Sequence, residues 1–373
     1  MRHPFGPVPP AQTPVDPDRG DMSHTPVADR RSGSFLDEVK DAVTLRATLL
    51  VIGVLALQLL FIASYVGALH DPRPRDVPFG VVAPGAAAEQ TAGRLERLPG
   101  SPLDPRTVAD EASARRQIEN REIDGALVVD PSGRTDTLLV ASGGGTVLAT
   151  TLEGILGRAE QSEGRATRTV DVAPASPRDF DGLSSFYLVV GWCVGGYLCA
   201  SILAISTGAR PANPRRAAIR LVVMALVAIA GGLGGAVIVG PVLGALPGSV
   251  VDLWGLGALI TFAVGAATLA LQGVFGVVGI GLAILLVVIA GNPSAGGAFP
   301  LPLLPPFWQA IGPALPPGAG TWAARSIAYF KANDVTFSLL VLWAWAVAGT
   351  VITMLAAALP GVRRDRELPG RTG

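Results

Sequence analysis

The residues able to do chemistry are few and scattered in this chain. Its two cysteines, Cys193 and Cys199, lie in one hydrophobic segment, six residues apart and off a common helical face, so they read as small buried apolar side chains. The three histidines, His3, His24 and His70, form no ligand cluster. Asp104, Asp110 and Glu111 could be read as paired carboxylates, but their setting fits solvated helix-cap residues. Gly143-Gly144-Gly145 reads as a flexible turn and not as a phosphate loop, because no lysine follows it. Ser184-Ser185 has no neighbouring base and no orienting acid. These residues make no catalytic, metal-binding or cofactor-binding constellation, and the reading is of a protein that is not an enzyme.

The elements that carry these residues are dominated by apolar sequence. Half of the 373 residues are hydrophobic, and the mean hydropathy is +0.47. Positions 253 to 324 hold no charged residue, which no ordinary water-exposed stretch tolerates. Basic and acidic residues balance at 29 each, so nothing points to nucleic acid. The expected fold is an α-helical integral membrane protein with six transmembrane helices and a small α/β (α+β) extracytoplasmic domain between the first two. A span needs about 20 apolar residues, and the segments that meet or approach this are 47–69, 182–207, 221–240, 253–271, 273–290 and 335–359. The fourth and fifth are separated by a tight turn placed at Gln272-Gly273.

Arginine and lysine in the flanks set the orientation. Arg30, Arg31, Lys40 and Arg46 precede the first span; Arg210, Arg215, Arg216 and Arg220 follow the second; Arg363, Arg364, Arg366 and Arg371 follow the last. Six spans put all three groups in the cytoplasm, with both termini there and the protein in the plasma membrane. Residues 1–33 are rich in proline and charge and poor in large apolar side chains, so they read as a disordered cytoplasmic tail, and 360–373 reads as the cytoplasmic tail at the other end. Phe35, Leu36, Val39, Ala42 and Val43 recur at helical spacing, so 34–46 reads as an amphipathic interfacial helix or as an early start to the first span.

Residues 71–181 suit a water-facing module. Strands are expected at 77–83, 125–129, 136–141 and 166–172, and helices at 86–98, 106–121 (starting near a cap at Thr107) and 144–161. Gly231 with Gly235, and Gly279 with Ala283, are small-xxx-small pairs compatible with packing inside the chain or with a homodimer face. The segment 291–334 is apolar yet broken by prolines, among them Pro293, Pro300, Pro302, Pro305 and Pro306. It reads as a re-entrant loop on the outer side with short helical pieces near 306–311, or as an aromatic anchor at headgroup level. Its path-lining candidates are Asn292, Pro293, Gly296, Gly297, Phe307 and Trp308.

This layout resembles the membrane (permease) subunit of type-2 ABC exporters, closest to the phage-infection-protein (Pip/YhgE-like) branch. The stretches that carry the resemblance are Val77 to Pro84, Leu183 to Trp192 and Gly291 to Pro316, within roughly 35–360. It implies export of a small or amphipathic substrate, a homodimer in the lipid bilayer, and a separate ATPase met by the 34–46 segment and by the loop carrying Arg215 and Arg216. The chain has no Gly-Lys-Ser/Thr and so no ATP site of that kind. The loop after the second span is short and contains Pro211 and Pro214, which favours the alternative of a non-transporting envelope receptor or scaffold whose outer domain binds a partner.

Overall fold

The computed structural model describes residues 45–359; the segment 34–44, most of the expected interfacial helix, and the tails 1–33 and 360–373 lie outside the described residues. The chain divides into two compact units, 1–53 and 54–373. Of the first, the structure describes the opening turns of helix α1, Leu45–Leu69. Beyond residue 54, α1 keeps Leu55, Leu59, Phe61, Ile62 and Val66 exposed.

A sheet domain follows. Strands β1 (Val77–Val82), β2 (Leu103–Thr107), β3 (Gly125–Val128), β4 (Thr135–Val140) and β5 (Ala166–Asp171) lie in the order β2-β1-β3-β4-β5. All neighbours are parallel except the β3–β4 hairpin. Helices α2 (Ala86–Glu96) and α4 (Thr146–Ser162) bring Leu95, Leu148, Leu152 and Leu156 to the face formed by Val77, Phe79 and Val81. Helix α3 (Glu111–Glu119) brings Ala114 and Ile118 to the other face, against Val82 and Ala126. Both faces of β1 are therefore buried, as its unbroken apolar run requires.

Two expectations for this domain are corrected. Residues 106–121 do not form one helix. Leu103–Thr107 is an edge strand in parallel register with β1, and its Pro105 is tolerated because an edge has one side free of ladder bonds. Helix α3 starts later, at Asp110, whose carboxylate accepts from Ser113 N at 2.7 Å. The Gly143–Gly145 turn is not loose: a Cβ on Gly143 would lie 2.6 Å from Tyr329, and one on Gly145 2.2 Å from Pro300. The glycines permit close approach to the helical part.

The helical part contains α5 (Ser184–Thr207), α6 (Pro214–Val237), α7 (Val250–Phe275), α8 (Val278–Ile284), α9 (Pro306–Ile311), α10 (Pro316–Tyr329) and α11 (Thr336–Ala358). Asn213 caps α6 and Pro214 occupies its first position, so Arg215, Arg216 and Arg220 fall inside the helix rather than in a loop before it. Helix α6 ends in a π turn, Ile238–Val242, and α8 continues as a π helix, Leu285–Gly291.

Among the described residues five helices are long and apolar enough to cross a membrane; Val278–Gly291 is shorter. The break expected at Gln272-Gly273 comes later, at Gly276. Gln272 is a fully buried helical residue, whereas Gly276 supplies the positive φ (64°) that reverses the chain.

The segment between Gly291 and α11 is a helical hairpin. α9 and the turn after it descend into the bundle, and α10 returns. The hairpin's tip lies deep, because Trp345, nine residues into α11, donates its indole N–H to Ala314 O at 2.9 Å. At the hairpin's start, Leu303 is buried in the sheet domain's own core with Phe299 beside it. Arg73 N and Arg75 N donate to the carbonyls of Leu303 and Pro302 at 3.1 and 3.0 Å. The sheet domain is thus completed by the bundle and is not packed by 71–181 alone.

Candidate functional site

The seam between sheet domain and hairpin gathers charge. Arg325 on α10 is 4% exposed. Its Nη1 donates to Gly296 O at 2.6 Å, and its Nη2 donates to Gly297 O at 2.8 Å and Gly182 O at 3.3 Å. The loop can present these carbonyls because Gly296 has φ +70° and because a Cβ on Gly297 would strike the Phe186 ring at 2.3 Å. Arg325 Nε–H is buried and has no acceptor.

Arg121 approaches from the sheet domain. It follows the end of α3 with φ +62°, a conformation that costs a non-glycine residue roughly 1 kcal/mol. Its guanidinium lies 3.3 Å from the centroid of Trp322 and 4.9 Å from that of Phe330. One nitrogen, Nη1, donates to Trp322 O at 3.0 Å and Ser326 Oγ at 2.6 Å. Burial, and then the like charge of Arg325, pull its pKa down to about 9. Asp124 sits nearby; burial raises its pKa to about 6 against the opposing pull of Arg121. No carboxylate among the described residues comes within ion-pair distance of Arg121 or Arg325.

These groups line a cavity of about 240 Å³, with Asp76, Gln309 and Thr321 on its wall. Arg121 and Asp124 keep some accessible surface and are part of that lining. The seam is held by further contacts. Tyr329 OH donates to Asp179 at 2.5 Å, Lys331 pairs with Glu119 at 3.1 Å, and Asn333 donates to Glu119 O at 3.0 Å. Positive-φ residues concentrate here as well: Asp76, Arg121, Lys331, Ala332 and Asp334.

A second concavity, about 470 Å³ and mostly apolar, runs between α5 and α6. Gly191, Gly195 and Gly231 line it, and an added Cβ on any of them would meet nothing. Thr261 also lines it, with a buried hydroxyl that has no partner. Of the small-residue pairs, Gly235 packs on Trp192 and Gly279 on Leu271 within the chain, while Gly231 faces this groove. A third space, about 410 Å³, lies in the sheet domain beside Arg94, Arg134, Glu160 and Arg165.

The candidates read from sequence separate here. Gly296 lines the seam cavity, and Gly297 O accepts from Arg325. Asn292 and Pro293 lie just before them, Asn292 with a buried amide oxygen that has no partner. Phe307 and Trp308 meet edge to face at 5.1 Å, with Phe307 exposed, and do not line the cavity. Arg215 and Arg216 are exposed at the far end of the bundle. Arg121, Asp124, Trp322 and Arg325 were not singled out by sequence reasoning, although Arg325 is the charge that ends the long neutral run. Comparison with protein-family models, with curated proteins and with solved structures finds no match for this chain.

Proposed function

We propose that this chain is a plasma-membrane protein of six crossings, with both termini in the cytoplasm and the sheet domain outside, and that it works as a permease-like export subunit. The observation that carries the reading is the apolar groove between α5 and α6, open along the bundle's side and floored by an unpartnered hydroxyl. Such a surface suits a small or amphipathic substrate entering from the lipid. Five long apolar helices support the membrane setting, with the shorter Val278–Gly291 as the remaining crossing. Arg210, Arg215, Arg216 and Arg220 cluster at the bundle end opposite the sheet domain, which supports the orientation. The exposed apolar face of α1 beyond residue 54 and the open glycines of the groove are compatible with a homodimer. A separate ATPase would supply the energy, meeting the chain near Arg215 and Arg216.

The α5–α6 connection favours a second reading. Residues 208–213 contain no helix, and Arg220 pins their start by donating to the carbonyls of Thr207, Gly208 and Ala209. That leaves little for an ATPase to grip. A receptor or scaffold whose outer domain binds a partner needs no such contact.

Mild purification from native membranes followed by mass spectrometry separates the two. Export predicts a stoichiometric ATPase that is lost in an Arg215→Glu, Arg216→Glu double variant. Recovery of an outer-surface partner alone would replace export with the scaffold reading.

A further inference from the structure

The seam cavity has a requirement that the export reading does not use. The like charge of Arg325 disfavours that of Arg121, and neither guanidinium has a carboxylate within ion-pair distance among the described residues; Asp124 and Asp334 act on Arg121, and Asp179 on Arg325, only from further off. Buried charge without a close counter-ion is costly. Arg325 spends both terminal nitrogens on loop carbonyls and leaves a buried Nε–H without an acceptor. Arg121 uses one terminal nitrogen, Nη1, on protein acceptors, which leaves its Nε–H and Nη2 free. On the same wall the Asp124 carboxyl accepts no hydrogen bond from the described residues, though its own N–H is satisfied by Pro78 O at 2.9 Å. Unused donors of Arg121 and an unused carboxylate acceptor therefore share one cavity, whose wall also carries Asp76 and Glu122. At about 240 Å³ it is too large for a single water, which occupies about 30 Å³ of liquid.

We propose that this cavity binds a small zwitterion, its oxyanion held by the free donors of Arg121 and its ammonium by Asp124. A bare anion would relieve Arg121 but face Asp124, Asp76 and Glu122; a bare cation would be repelled by Arg121 and leave its donors unused. A molecule carrying both groups on a short spacer satisfies both side chains. Trp322 and the Gly296 backbone close the walls around it, which suits a molecule between an amino acid and a dipeptide in size. The site lies where the sheet domain meets the hairpin, so an occupant would tie the two together. The inference requires the docking seen here and is independent of transport.

Isothermal titration of the full chain in detergent micelles tests it. The probes are dialanine and O-phosphoethanolamine, with propionate and ethylamine as half-ligands. At least one zwitterion is expected to bind at least about tenfold more tightly than either half-ligand, the difference that one charge-assisted contact supplies. Dialanine alone binding identifies a free amino-acid or peptide-like ligand. O-phosphoethanolamine binding, with competition from phosphatidylethanolamine but not phosphatidylglycerol in nanodiscs, identifies a lipid headgroup. Asp124→Asn should cost about tenfold and abolish the preference over propionate. Arg121→Lys, which keeps the charge but loses the fork, should weaken binding and leave that preference intact. No zwitterion binding at millimolar concentration, or propionate binding as tightly as the zwitterions, would overturn the proposal. So would unchanged affinity in a folded Asp124→Asn protein or, where that variant does not fold, in Arg121→Lys.

Discussion

Two regions of this molecule bury charge, and they do so in opposite ways. In the sheet domain, Asp136 and Glu160 are 0% and 1% exposed. Arg165 forks onto both oxygens of Asp136 at 2.6 Å, and Arg94 meets Glu160 at 2.5 Å. Burial alone would raise Asp136, but the fork outweighs it and holds the carboxyl below its usual range. Burial raises Glu160 against the pull of Arg94, and its contact with Asp136 adds to the rise. That region is closed on itself. At the seam, Arg121 and Arg325 have only carbonyls, a hydroxyl and rings as partners. Where partners are built in, charge fixes a fold; where they are left out, it waits for something else.

The comparison breaks first at Asp136. Replacing it with alanine removes two charge-assisted hydrogen bonds from Arg165, which is 24% exposed and keeps Gly133 O and Asp130 O, at a cost of about 3 kcal/mol. Chemical denaturation followed by protease sensitivity of 71–181 should show the sheet domain failing early. A loss below about 1 kcal/mol would mean that this cluster is no more self-contained than the seam.

Gly143→Leu should act next, by overpacking against Tyr329 at a cost of about 1–3 kcal/mol. Its signature is undocking without unfolding: limited proteolysis should open 173–183 and 330–335 while the sheet itself stays protected.

The seam should also answer to pH. Asp124 is raised in the folded chain to about 6 from 3.8, so the folded state binds its proton more tightly than the unfolded state does. Its contribution is full below pH 4 and is lost as pH rises through 6, a change of about 1–2 kcal/mol once solvent in the cavity is allowed for. Melts of wild type and Asp124→Asn across pH 4 to 7 should diverge by that amount, the wild type falling further. The smallest effect is expected for Trp322→Leu, about 1 kcal/mol from the lost guanidinium stack, read as a lower midpoint with unchanged protection of 71–181.

Much of the architecture was legible because it depends on periodicity. The apolar runs coincide with helices, although α6 begins seven residues before the expected 221 and α8 five residues after the expected 273, and the proline-broken segment did contain a short helix at Pro306–Ile311. Strand β2 was hidden, because Leu103-Asp-Pro-Arg-Thr107 has neither alternation nor β-branched bulk; it exists because β1 offers an open edge. The candidate site was half legible. Gly296 and Gly297 stood out by composition. Arg121 did not, since nothing local separates an arginine at a helix end from one stacked on a tryptophan 201 residues away. Leu303 was hidden for the same reason: membership of the sheet core is a long-range fact.

The helix Val278–Gly291 carries one more consequence. At 1.5 Å per α residue, and less per π residue, its seven α and seven π residues extend at most about 21 Å, against roughly 30 Å of hydrocarbon. On the proposed placement this crossing is mismatched to its solvent, and the bilayer beside it must thin or its polar turns must sink. Acyl-chain length would then act on this protein as an effector, favouring shorter lipids around one flank of the bundle.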